Sequence, residues 1–245
     1  DVLAKTKYKP DTDAPVWNEI HYIPVVLLSE PLNITVVDKN DRHKDTEVGV
    51  IQFDLEALYH KPQQDNLTST FVRNSKNVGT LSYSLNFMPT IEPIRHVDGA
   101  VNPAPDLNTG IMRLEIADAR HLVGNAKDMK LRAEIYIDHQ LKKKSSYIKG
   151  LEAPMFGVSH EEIIFNRSKT RVRIVLKNKE KIYGQILSTL NNLIDASQVE
   201  ENWFPFSKGG ELSVRTTWKP VGLSDASGSG GFTPPIGVVR VDVEK

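Results

Sequence analysis

The sequence predicts an all-β protein made of antiparallel β-sandwiches in tandem. The first observation is a repeat with a period near 130 residues: Gly79-Thr80-Leu81-Ser82 to Phe87-Met88-Pro89 recurs as Gly210-Glu211-Leu212-Ser213 to Trp218-Lys219-Pro220. Gly110 to Ile116 recurs in the same way as Gly237 to Val243, and Tyr8 to Ala14-Pro15 recurs as Tyr147 to Ala153-Pro154. A period this long marks whole domains, because solenoid units run to about 20–50 residues. The second observation is strict alternation of apolar and polar positions, the pattern of half-buried strands. The third is that such runs are short and numerous, as a sandwich requires.

Taken along the chain, Leu32, Ile34 and Val36 alternate with Asn33, Thr35 and Val37. Leu131, Ala133, Ile135 and Ile137 alternate with Arg132, Glu134 and Tyr136, and Val172, Ile174 and Leu176 alternate with Arg171, Arg173 and Val175. Ile182, Ile186, Leu190, Leu193 and Ile194 have helical spacing and predict one helix over 182–197, read as core packing. Leu55 and Leu58 are its weaker counterpart in the first module. Pro15 is placed as the first residue of a strand, where no ladder donor is needed, with Trp17 buried behind it. Pro89, Pro93, Pro103 and Pro105 predict a semi-stiff extended connection, and the Gly/Ser run 222–231 a flexible one. By internal comparison the first module lacks about 30 residues at its start, because Pro154 follows Gly110 by 44 residues and Pro15 has only 14 before it. Residues 237–245, the first strand of a third module, are expected to pair with a sheet edge, the one left open in the first module being a candidate, since a lone strand leaves its backbone groups unsatisfied.

Composition excludes several classes. The chain has no cysteine, hence no disulfide and no thiolate metal site. No stretch reaches 18 apolar residues, so membrane contact is expected to be peripheral. The sequons at Asn33, Asn66 and Asn166 are read as chance matches. No nucleophile motif, nucleotide loop or zinc helix occurs, and the chain is read as a non-enzyme without nucleic-acid partners. The zero net charge hides a split: residues 1–95 carry 10 basic and 13 acidic side chains, residues 108–220 carry 19 and 13. Unequal halves of this kind point to a charged partner.

Residues 12–19 (Thr-Asp-Ala-Pro-Val-Trp-Asn-Glu), then Val36-Val37-Asp38-Lys39-Asn40-Asp41, Lys44-Asp45, Val48-Gly49 and Phe53-Asp54-Leu55 resemble the C2 domain, an eight-stranded sandwich that binds calcium and phospholipid. The second module is similar more loosely: Phe156 stands where Trp17 stood, and Gly157-Val158 replace Asn18-Glu19. With the Pro-rich linker and the Gly-rich lead into Thr233-Pro234-Pro235-Ile236-Gly237, the whole chain looks like the tricalbins, fungal relatives of the extended synaptotagmins. The resemblance implies tandem C2-type antiparallel β-sandwiches. These are a first C2 domain over 1–92 lacking its first strands, a linker over 93–107 and a second, complete C2 domain with one short helix over 108–221; a linker over 222–235 and the first strand of a third domain over 236–245 follow. It also implies a peripheral membrane-binding fragment of a lipid-transferring tether. Such a tether lies on the cytosolic face of the endoplasmic reticulum where it meets the plasma membrane, with its anchor and lipid-transfer domain upstream.

For sites, the resemblance implies Asp38, Asn40 and Asp45, or in place of Asp45 its neighbours Asp41 and Glu47, as calcium ligands of the first domain when intact. Calcium needs six to eight oxygens from two loops, so in this chain, with one loop, the acidic solvated turn is the preferred alternative. The second module's matching loop, Leu176-Lys177-Asn178-Lys179-Glu180-Lys181, is cationic, and no calcium is expected there. Instead residues 127–181 hold 14 basic and 7 acidic side chains. Lys142, Lys143, Lys144 and Lys149 fall where C2 domains carry a polybasic face, and are expected to contact anionic lipid, phosphatidylserine or phosphoinositides. At about 1 kcal/mol per lysine such a site is weak, near millimolar, and useful through tethering to neighbouring C2 domains. The alternative is a protein–protein or interdomain docking module, in which the basic face meets an acidic partner such as the neighbouring domain.

Overall fold

The computed structural model describes residues 2–40, 43–199, 202–222 and 237–243. Its strands are β1 (Glu19–Val25), β2 (Leu32–Asp38), β3 (Thr46–Phe53), β4 (Gln63–Arg73), β5 (Lys76–Pro89), β6 (Ile94–Arg95) and β7 (Val101–Asn102). There follow β8 (Gly110–Arg120), β9 (Lys130–Ile137), β10 (Gln140–Lys144), β11 (Ile148–Lys149), β12 (Met155–Ile164), β13 (Arg171–Asn178), β14 (Lys181–Thr189), β15 (Trp203–Pro205), β16 (Glu211–Pro220) and β17 (Gly237–Val243). The α-helices among the described residues are α1 (Ala57–His60) and α2 (Leu190–Gln198), and a 3-10 turn covers Ala126–Asp128. Among the described residues no helix is long and apolar enough to cross a membrane. The chain divides into unit 1, Asp1–Val101 with Val221–Lys245, and unit 2, Asn102–Pro220.

Unit 2 is a sandwich of two antiparallel sheets, β10-β9-β13-β14 with β11 on β9, and β12-β8-β16-β15. The alternation in β9 and β13 turns Leu131, Ala133, Ile135, Val172, Ile174 and Leu176 inward, where they share one core with Met112, Leu114 and Ile116 of β8. Each fully buried Leu or Ile contributes about 1.5–3 kcal/mol.

Unit 1 is a six-stranded sheet in the order β1-β17-β5-β4-β3-β2. Its core gathers Leu58, Leu81, Tyr83 and Leu85 with Val239 and Val241 of β17. The last described strand therefore pairs with the first module, as expected, and does so on both sides, with seven paired residues to β1 and seven to β5. It holds in unit 1 the place that β8 holds in unit 2, between β12 and β16. The repeated glycine explains why the two strands fit alike. Gly110 faces Pro220 and Gly237 faces Pro89. A Cβ at Gly110 would lie 2.4 Å from the Lys219 carbonyl oxygen, and one at Gly237 would lie 2.8 Å from that of Met88.

Two expectations are corrected. Residues 181–189 form a strand, and the helix starts only at Leu190. Ile182, Ile186 and Leu190 are spaced by four, which suits period 2 as well as period 3.6; pairing with β13 decides for the strand. Thr189 then caps the helix, its hydroxyl accepting from the Asn192 N–H at 3.1 Å. Likewise the strand expected from Pro15 begins at Glu19. Asn18 has φ 50, matching Gly157 with φ 53 in the second unit, and this left-handed residue breaks the ladder. In unit 2 pairing resumes beyond it, Met155 with Asp118, whereas β17 reaches Glu19 at Val243, its last described residue. In the proline-rich linker β6 and β7 form a two-stranded ribbon, and residues 223–236 of the Gly/Ser linker lie outside the described residues.

Candidate functional site: a cationic sheet face

Register decides which side chains share a face, because directly opposed residues of antiparallel strands project to the same side. In unit 2 the outer positions pair as Arg173 with Tyr136, Val175 with Glu134 and Lys177 with Arg132. Lys144 is opposite Glu134, and Lys149 is opposite Lys130. The outer face of this sheet thus collects Lys130, Arg132, Lys144, Lys149, Arg171, Arg173 and Lys177.

At its centre lies Glu134, only 1 % exposed although it is on the outer face. Its Oε1 accepts from Arg132 Nη2 at 2.7 Å, and its Oε2 from the Tyr136 hydroxyl at 2.7 Å. Lys177 Nζ stands 3.2 Å from the same Oε2. Tyr147 forms a floor: Lys130 Nζ is 4.4 Å and Arg132 Cζ 4.5 Å from its ring centre. The Tyr147 hydroxyl donates to Glu180 Oε1 at 2.8 Å, which holds the ring in place. Arg173 lies 5.4 Å over the Tyr136 ring and donates through Nε to Gln185 at 3.2 Å. Burial alone would push the Glu134 carboxyl up, but the three donors outweigh it and hold it below the ordinary carboxylate value. The same hydrogen bond keeps the Tyr136 hydroxyl protonated to higher pH.

The structure divides the lysine triplet. A bulge between Leu141 and Lys143 displaces Lys142, whose Nζ makes a 2.8 Å ion pair with Glu162 on β12 of the opposite sheet. Lys142 is half-buried and ties the two sheets together; Lys143, Lys144 and Lys149 are exposed. Glu162 also has His160 at 3.6 Å, and although burial opposes its charge, His160 and Lys142 hold its carboxyl below the ordinary range. The reading of Lys142–Lys144 as one run overlooked Arg132, Arg173, Lys177 and the two tyrosines. Their signal was present in the polar half of the alternation in β9 and β13.

Both carboxyls, Glu134 and Glu162, are lowered from 4.5. Groups depressed in the folded state add stability above that value and lose it as pH falls through the folded pKa. Unit 2 is therefore expected to melt at progressively lower temperature below about pH 4.5, and an E134Q/E162Q chain to show a flatter dependence. Melting temperatures recorded from pH 3 to 7 check this; parallel curves count against it.

In unit 1, Asp38 closes β2 opposite Thr46. Asp45 Oδ1 accepts from the Asn40 backbone N–H at 3.2 Å, and Oδ2 lies 3.8 Å from Lys5 Nζ. Among the described residues no three His, Cys, Asp or Glu side chains come together as a metal site. The donors described are too few for calcium, and the lysine beside Asp45 opposes a divalent cation, so these residues do not fit the ion by themselves. In unit 2 the matching Asn178 is committed to the fold, its Oδ1 accepting from the Lys130 N–H at 3.0 Å.

The chain is 37 % identical over 99 % of its length to Tricalbin-1 and 35 % identical over 100 % to Tricalbin-2, both of Saccharomyces cerevisiae. The chain is tricalbin-like. It spans about a fifth of those relatives, 21 % of each. The C2 domain family matches residues 2–70 of the tricalbin-like chain. A solved structure of the SMP domain and two C2 domains of Extended-Synaptotagmin 2 superposes with a TM-score of 0.59 at 14 % identity, covering 89 % of this chain and 52 % of that one. A calcium-bound structure of the same two C2 domains gives 0.54 at 15 % identity, covering 80 % and 74 %. The tricalbin-like chain thus has the tandem C2 fold, with β12-β8-β16-β15 and β10-β9-β13-β14 as the two sheets of its second domain.

Proposed function

We propose that the tricalbin-like chain is a peripheral phospholipid-binding segment of a tether between endoplasmic reticulum and plasma membrane that takes part in lipid transfer. Unit 2 attaches to anionic lipid without calcium. The observation that supports this is the clustering of seven cations on one outer sheet face around one buried acid. Arg132 and Lys177 are engaged with Glu134, which leaves Lys130, Lys144, Lys149, Arg171 and Arg173 to act on a negatively charged surface. Five cations at about 1 kcal/mol each correspond to an affinity of about 10⁻⁴ M. Further C2 domains of a longer tether would add to it by avidity. Calcium responsiveness would belong to unit 1, through Asp38, Asn40 and Asp45 together with oxygens from elsewhere.

The test is sedimentation of the chain with phosphatidylcholine vesicles containing phosphatidylserine. The K144A/K149A/R173A chain is expected to bind about 100-fold more weakly, and wild-type binding to fall steeply with salt. Equal binding by the two chains overturns the proposal. A second reading rests on Leu187, 69 % exposed, with Ile182 and Leu141 on the same face, the mixture found on protein-docking surfaces. Under it, the chain binds a protein partner at a salt that abolishes vesicle binding, and L187D removes that binding.

A further inference from the structure

We propose that β17 is an exchangeable element: unit 1 accepts the same strand from a second copy of this chain, and reciprocal exchange joins two chains into a dimer.

Its place in the sequence is the first reason. The whole of unit 2, Asn102–Pro220, with a core of its own, stands between β17 and the rest of the unit 1 sheet. Among the described residues the strands paired with β17 are β1 and β5, both of unit 1. Its contacts are therefore the same whichever chain supplies it. That is the condition under which exchange of an identical element is a low-cost route to dimers.

The connection is the second reason. The chain returns to unit 1 at Val221, which bridges to Thr90, and Gly237 pairs with the adjacent Pro89. Residues 222–236 thus join two neighbouring positions along β5, a gap that a turn of a few residues closes. A Gly/Ser-rich coil of about 15 residues has an r.m.s. span of about 20 Å, and the spare length lets the strand reach the same slot in a second chain.

The slot itself names the partner. Val238, Val239, Val241 and Val243 are all buried. At Gly237 a Cβ would lie 2.4 Å from the Phe87 ring and 2.8 Å from the Met88 carbonyl oxygen, which pins the register on a glycine. A second copy carries this strand complete. β8 shares the pattern, but the short loop 121–129 ties it to β9 and denies it the same freedom. A flexible tether gives the strand of the same chain an effective concentration in the millimolar range. Closed monomers therefore dominate at micromolar concentration, and exchange sets in as the local concentration approaches about 1 mM.

The chain has no cysteine, so introduced thiols report the pairing without background. Ile23 and Val239 are register partners on β1 and β17. A tagged full chain carrying I23C and an untagged one carrying V239C are mixed, warmed briefly to open unit 1, cooled and oxidised. A disulfide joins the two where β17 of one chain lies beside β1 of the other. The covalent pair is expected to rise about 50-fold between about 10 µM and about 1 mM. V238C, one residue along and on the opposite face of the strand, is expected to give none. In a second variant three EAAAK repeats, a helical spacer about 22 Å long, replace residues 222–236 and part the ends that a closed chain must bring together. With every strand residue native, it answers the question even where the cysteine chains do not fold. Light scattering is expected to show it dimeric at about 10 µM, with β1 and β5 protected from hydrogen exchange as in wild type. The proposal is overturned if the covalent pair never exceeds the V238C control, or if the spacer chain stays monomeric.

Discussion

Replacing Val239 by Asp is expected to unfold unit 1 and leave unit 2 folded. Val239 is fully buried, paired with Phe87 on one side and Ile23 on the other. An aspartate there puts an uncompensated charge into the cluster around Leu81, Tyr83 and Leu85, at a cost of several kcal/mol. The ladder adds to the effect. If β17 leaves, the facing backbone groups of β1 and β5 lose their partners, and unpaired strand edges are unfavourable. The cost approaches the whole stability of a domain of this size, about 5–15 kcal/mol. Unit 2 has its own core around Leu114, Ile135 and Ile174, and is expected to keep its stability. Amide hydrogen exchange reads the two units separately: Glu19–Val25 and Lys76–Pro89 should lose protection in V239D while Gly110–Arg120 retains it. Retained protection in β1 and β5 would show that unit 1 holds its sheet without β17.

The second large effect is expected at Arg132. R132A removes the 2.7 Å partner of a carboxylate that is 1 % exposed, together with the stacking on Tyr147. Breaking a buried pair from one side typically costs about 3–5 kcal/mol, because the remaining charge stays desolvated. Tyr136 and Lys177 still serve Glu134, which places the expected cost near 3 kcal/mol. For a domain of this length that lowers the melting temperature of unit 2 by about 10 °C. Adding E134Q to R132A is expected to recover most of the loss, since the uncompensated charge is then gone. Calorimetry on the two chains decides; a double variant no more stable than R132A would mean that lost packing, and not the buried charge, sets the cost.

The strands were legible because their signal is local. Period-2 alternation at 131–137 and 171–176 reads the same in one dimension as in three, and the 130-residue repeat exposed the tandem arrangement without any contact being known. The helix boundary failed where spacing by four served two periods at once, so that only the pairing of Ile186 with Ile174 assigned residues 181–189 to a strand. The site was less legible still. Lys142, Lys143 and Lys144 are adjacent in sequence, yet a bulge sends the first to Glu162 and leaves Lys144 opposite Glu134. Conversely Arg132 and Lys177 are 45 residues apart and share one carboxylate.

Composition, repeat and alternation by themselves determined that this protein is a tandem of β-sandwiches with a basic second half, because those properties are carried residue by residue along the chain. Tertiary structure alone decided which cations form a surface, where Glu134 is buried and that residues 237–243 complete the sheet of unit 1. Those depend on register, and register is a relation between segments far apart in sequence: a slip of β9 by one residue against β13 would turn Arg132 and Glu134 into the core and part them from Lys177.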